Sequence, residues 1–226
     1  MRFALSMRVV RAREYEETRD AVSHDWRRWL ERGGHQFFPV PNGLADLRGH
    51  LDCLPVDGVI LTGGNDLVAP AGSESDVAPE RTATEHELIA AAIERGLPVF
   101  AVCRGLHVVN AFFGGATVAD LAATCGRPSP HVGRDHAVSL DPPFDAVAGC
   151  GELRTNSFHN QGVVPSGLAP DLVAFGRSPS DGVIEGAVHR TRPILAVQWH
   201  PERPNPAAAF DDLVFARLFT EGAFWG

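Results

Sequence analysis

The chain has 226 residues, 44% of them apolar, enough for a sizeable core and too many for a disordered chain. A formal net charge of −8 argues against a nucleic-acid surface, which calls for a basic stripe, but a few local arginines can still hold a small phosphorylated ligand. No apolar run approaches the roughly 20 residues of a membrane span. The apolar stretch after Met1 is too short for a signal peptide, so the expected compartment is the cytoplasm.

In chain order, residues 3–7 read as a first strand, 15–32 as a charged amphipathic helix ended by Gly33-Gly34, and 36–40 as a short strand. Residues 58–61 form a buried strand stopped by Gly63-Gly64. A helix is expected over 82–95, with Thr82 as N-cap, Glu85 as its capping-box partner and Gly96 at the C-cap. A strongly apolar strand over 98–102 leads into a helix over 104–113. The second half carries short strands at 136–140, 172–175, 182–189 and 194–198, then a closing amphipathic helix at 207–221. This alternation predicts an α/β fold with a mostly parallel sheet covered on both faces. The Pro/Gly/Ser-rich stretches 69–79 and 126–133 read as loops near a site rather than linkers, so one domain over 1–226 is expected.

The four cysteines, Cys53, Cys103, Cys125 and Cys150, are scattered and never form a C-x-x-C pair. Neither a disulfide framework nor a zinc site is expected from that spacing. Each is then judged by its neighbours. Cys103 stands where an apolar strand runs into Arg104-Gly105 and a helix, the layout of a nucleophile elbow with sulfur in place of a hydroxyl. A helix N-terminus favours thiolate there. From this segment alone, a buried core cysteine is an equal reading.

A second apolar strand ends in His200-Pro201-Glu202. Residues two apart on a strand project the same way, so His200 and Glu202 can lie side by side. Strand C-terminal ends of a parallel sheet share one edge, where ligands bind. Cys103, His200 and Glu202 then supply a nucleophile, a base and a group to orient the base.

Five segments in order carry a resemblance: Gly58 to Asp66, Arg81-Thr82 with Glu85, Val102 to Leu106, Asn156 to His159, and Gln198 to Glu202. They resemble the class I glutamine amidotransferase superfamily in its gamma-glutamyl hydrolase branch. The resemblance implies a flavodoxin-like three-layer sandwich and the Cys103–His200–Glu202 triad. It also implies an oxyanion hole from the backbone N–H groups of Gly64 and Arg104, and a substrate pocket drawing on Gly63, Asn65, Arg81, His107 and His159. Arg81 can equally brace its loop through Glu85, four residues on. His107 departs from the family, which usually has glutamine four residues after the nucleophile.

The N-terminal stretch from Met7 to Trp26 is similar to a narrower branch, the gamma-glutamyl-CDP-amidate hydrolases, in which Arg8, with Arg11 and Arg13, could meet a diphosphate. The neighbouring choice, gamma-glutamyl-gamma-aminobutyrate hydrolase, needs no phosphate site. The implied partner is a small gamma-glutamyl conjugate, with no metal, no organic cofactor, no nucleic acid and no membrane, and a homo-oligomer is left open. The alternatives are a glutaminase feeding ammonia to a separate synthase, and a non-catalytic binding protein on the same fold.

Overall fold

The computed structural model describes residues 1–12, 14–69, 76–125 and 131–226. Arg13 and most of the two expected loops at 69–79 and 126–133 therefore lie outside the described residues. The first half runs β1 (Arg2–Ser6), β2 (Arg8–Arg11), β3 (Thr18–Ala21), α1 (His24–Arg32), β4 (Gln36–Val40), α2 (Leu47–Asp52), β5 (Gly58–Leu61), α3 (Pro79–Arg95), β6 (Val99–Val102) and α4 (Arg104–Phe112). The second half runs α5 (Leu121–Cys125), β7 (His136–Leu140), α6 (Phe144–Ala148), β8 (Glu152–Thr155), β9 (Leu172–Arg177), β10 (Ile184–His189), β11 (Ile194–Val197) and α7 (Ala208–Glu221).

Among the described residues, nine strands form one sheet in the order β4-β1-β5-β6-β11-β10-β9-β7-β8. The half from β4 to β11 is parallel throughout, as the alternation of strands and helices predicts. From β11 outward every pairing is antiparallel, so the short strands of the second half extend the same sheet. Side chains along the central strands alternate between two cores. Phe3 and Leu5, Ile60, Phe100 and Val102 face Trp26 and Trp29 of α1 and Phe215 and Leu218 of α7. Ala4, Val59, Leu61, Val99 and Ala101 face Leu51 of α2, Leu88 and Ala92 of α3, and Val109 of α4. Burial on both faces explains why these strands read as unbroken apolar runs. The three-layer sandwich follows. Among the described residues, no helix is long and apolar enough to cross a membrane.

Two expectations about elements are corrected. The helix expected over 15–32 is only its second half: β2 and β3 pair as an antiparallel hairpin, and α1 begins after Ser23, whose hydroxyl accepts from the Asp25 N–H. Val9-Val10 and Thr18 favour the hairpin, and the capping Ser23 sets the helix start. The helix expected from Thr82 starts three residues earlier, with Pro79 in its first turn and Ala78 at the cap. Thr82 and Glu85 form no capping box. Instead they receive arginines in the interior.

Candidate active site

Because β5, β6 and β11 are parallel neighbours, their C-terminal ends deliver Gly63, Cys103 and His200 to one edge of the sheet. The Cys103 N–H donates to the Val197 carbonyl at 2.8 Å, fixing where β6 stops. Cys103 then takes φ 55° and ψ −107°, a conformation rare for a residue with a side chain. A Cβ on Gly105 would come 2.7 Å from the Leu61 carbonyl oxygen, so only glycine lets α4 pass this close to β5. The strained turn and the close-passing helix together aim the sulfur into a cleft of about 260 Å³.

His200 Nδ1 hydrogen-bonds Glu202 Oε1 at 2.7 Å, and the His200 ring and the Cys103 side chain both pack against Gly63. Burial pushes the Cys103 thiol up, but the adjacent His200 charge and hydrogen bond, helped by the Arg104 backbone N–H, outweigh it and hold the thiol below its ordinary value. Burial likewise opposes the His200 charge, yet Cys103 and Glu202 together raise its pKa to about 9. Each group thus favours the charged form of the other, and the pairing shifts the balance toward thiolate and imidazolium. Alkylation of Cys103 by iodoacetamide, followed peptide by peptide in a mass spectrometer, is expected to reach half its maximal rate at a pH below that of free cysteine, about 8.5. A midpoint at or above the free-cysteine value overturns the ion pair.

Other expected site residues fall into two groups. Gly64, Arg104, His107 and Arg8 border the cleft. The Arg8 side chain lies against Gly64 and pairs with Asp76 at 3.0 Å, half exposed at the mouth. Arg11 is turned away toward Glu80 and the Val77 carbonyl. His107 Nε2 meets Gln198 Oε1 at 2.8 Å, and burial drives its pKa down to about 3, so it enters the cleft wall as a neutral ring.

Gly63 and Arg81 support the site from beneath, while Asn65 and His159 line the cleft with their polar atoms engaged by the protein. Gly63 lies under the His200 ring, and its carbonyl accepts from Arg81. Asn65 borders the cleft, but its amide is engaged with the Val9 backbone and Asp76. Arg81 corrects the expectation of a ligand-holding role. Its fully buried guanidinium donates to the carbonyls of Thr62, Gly63 and Gly64, to Asn65 and to Glu85, so it is a brace. Glu85 in turn takes Arg104 and the Ser6 hydroxyl. His159 lines the cleft as expected, with Nδ1 hydrogen-bonded to the Gln161 carbonyl and Nε2 turned inward toward Glu185 at 3.5 Å.

Three contributions have no counterpart in the sequence reading. Asn156 clasps the His200 backbone in both directions, accepting from its N–H and donating to its carbonyl, each at 2.9 Å. Gln161 ties the loop after Gly64 by accepting from Leu67 N–H and donating to the Val68 carbonyl. Arg203 lies over the exposed Phe158 ring at 4.7 Å, stands 3.7 Å from Glu202 and adds a second cation to the cleft lining beside Arg8. Asn156 stands in one of the five ordered segments and Arg203 directly after Glu202, so proximity in sequence was the available signal.

A flavodoxin-like α/β fold with a Cys–His–Glu set at its strand ends is the architecture of class I glutamine amidotransferase-like proteins. Residues 10–202 match the Peptidase C26 family, and the chain belongs to it. It is 31% identical over 202 residues to a Lactococcus lactis protein provisionally named glutamine amidotransferase-like protein YvdE, covering 84% of this chain and 83% of that one. It is 30% identical over 201 residues to gamma-glutamyl-gamma-aminobutyrate hydrolase PuuD of Escherichia coli, covering 80% and 78%. In fold, it superposes with a TM-score of 0.67 and 21% identity on a Thermoplasma acidophilum structure provisionally described as belonging to a GMP synthase, covering 99% of this chain and 94% of that one.

Proposed function

We propose that the chain is a single-domain, cysteine-dependent hydrolase of gamma-glutamyl amide bonds, working in the cytoplasm. The observation that carries this reading is that parallel strand ends bring Cys103 and His200 to one cleft, with His200 Nδ1 held by Glu202 at 2.7 Å. The Cys103 thiolate attacks the side-chain amide carbon of the glutamyl unit, forming a C–S bond. The Gly64 and Arg104 N–H groups take the negative charge that moves onto the carbonyl oxygen. His200 gives its proton to the departing nitrogen as the C–N bond breaks, leaving a glutamyl thioester and a free amine or amidate. Neutral His200 then takes a proton from water, whose oxygen attacks the thioester. The thiolate departs and glutamate is released. Glu202 holds the imidazole in the orientation that lets one nitrogen serve both steps.

The cleft volume of about 260 Å³ is below the roughly 300–1,000 Å³ usual for drug-sized ligands, so it suits the glutamyl part alone. The amine part then extends to the mouth between Arg8 and Arg203. Two cations there suit an anionic leaving group, and gamma-glutamyl-CDP-amidate is the specific substrate we propose. The likeness to PuuD favours a second reading, gamma-glutamyl-gamma-aminobutyrate, whose carboxylate asks for one cation only. Purified protein is expected to release glutamate from a gamma-glutamyl conjugate without any partner, with higher kcat/KM for the CDP-amidate. A preference for the aminobutyrate conjugate selects the second reading. Glutaminase activity that appears only with a second protein favours instead an ammonia-supplying role for a separate synthase.

A further inference from the structure

We propose that His131, His136, His159 and Glu185 form a buried zinc site, separate from Cys103, that fixes the wall of the cleft. One ligand atom from each of the four lies within 4.8 Å of the others. They come from four places in the chain: the segment before β7, β7 itself, the loop after β8, and β10. From Glu185 Oε1 the distances are 3.3 Å to His131 Nδ1, 3.6 Å to His136 Nε2 and 3.5 Å to His159 Nε2. Ligands about 2.0–2.1 Å from a tetrahedral zinc stand about 3.3 Å apart, so these three separations are already close to tetrahedron edges.

The outer hydrogen bonds orient the rings for this purpose. His159 Nδ1 donates to the Gln161 carbonyl at 2.9 Å, which leaves Nε2 with its lone pair toward Glu185. His131 Nε2 meets Asp181 Oδ2 at 3.0 Å, a carboxylate–histidine pair of the kind that stands behind metal ligands. His159 Nε2, both nitrogens of His136 and both Glu185 oxygens are buried with no hydrogen-bond partner among the described residues. Leaving such groups unpaired in the interior is destabilising. A lone pair facing a carboxylate is repulsive, and a cation between them removes the conflict. Three imidazoles and a carboxylate are a donor set that zinc accepts, and four protein ligands close its tetrahedron. The site is therefore structural. It would tie β7 and β10 to the loop that carries Asn156, Phe158 and Gln161, setting the cleft wall without touching the reacting atoms.

Because a thiolate also binds zinc, the test uses the full chain carrying Cys103→Ala. After chelator treatment and dialysis against zinc, elemental analysis is expected to find one zinc per chain, with a raised thermal midpoint. Cobalt in its place is expected to give the visible bands of a tetrahedral ion without a thiolate charge-transfer band. Glu185→Gln in the same background, checked for fold by circular dichroism, is expected to weaken zinc binding by at least roughly 10- to 100-fold, the loss that even outer-shell changes cause. If the Cys103→Ala protein retains no stoichiometric zinc, the proposal is overturned and the cluster is held by shared protons. Cobalt spectra with a thiolate band overturn it as well, since the metal then sits on another cysteine. Should Glu185→Gln fail to fold, zinc stoichiometry and the cobalt spectrum of the parent decide alone.

Discussion

Cys103→Ala is expected to lower kcat for glutamate release by about 10⁴-fold or more, with the fold intact. The scale is that of nucleophile deletion in other triad enzymes, where the remaining groups keep only a small residual rate. Alanine keeps the Cβ and removes only the sulfur, so the turn at φ 55° and the two cores are undisturbed. What disappears is the thiolate that His200 and the Arg104 N–H stabilise. Mass spectrometry of the rapidly quenched parent enzyme is expected to find a glutamyl adduct on the Cys103 peptide, and none in the variant. Retention of full activity by Cys103→Ala would mean that water attacks the amide directly, and would sink the thioester mechanism.

The second large effect concerns stability. Arg81→Met is expected to destabilise the protein by about 3–5 kcal/mol, measured as a lower denaturant midpoint at unchanged slope. Burial pulls the Arg81 pKa down to about 10 despite Glu85, so the guanidinium remains charged at neutral pH. Its removal leaves Glu85 with a single arginine, and it strips partners from the Thr62, Gly63 and Gly64 carbonyls. Those carbonyls belong to the loop proposed to hold the oxyanion, so kcat falls together with stability. A residue that held a substrate carboxylate would behave otherwise: the variant would keep its denaturant midpoint and show only a higher KM.

The central fold was legible because its strands are buried on both faces while α1 and α7 keep one polar face, a contrast that apolar runs report directly. The proposed triad was legible because Cys103 and His200 each end such a run. Side-chain roles inside the motifs were harder to read. Arg81 has chemistry that suits a ligand, and only the direction of its donors shows that it holds up the Thr62–Gly64 loop from beneath. β3 reads as part of a helix because the Glu, Arg and Asp around it mimic a solvated helix face. The His/Glu cluster was invisible for a different reason. Cysteine spacing was the signal sought for a metal, whereas these four side chains converge only through the antiparallel end of the sheet.

The strand that ends at His200 is the seam of that sheet, parallel to β6 on one side and antiparallel to β10 on the other. It is made last of all the strands, yet it is inserted at the middle. A growing chain that has left the ribosome only as far as β10 thus carries its thiol on an unfinished edge, with neither imidazole nor carboxylate beside it. The proposed triad is therefore complete only once this last strand has taken its central place in the sheet.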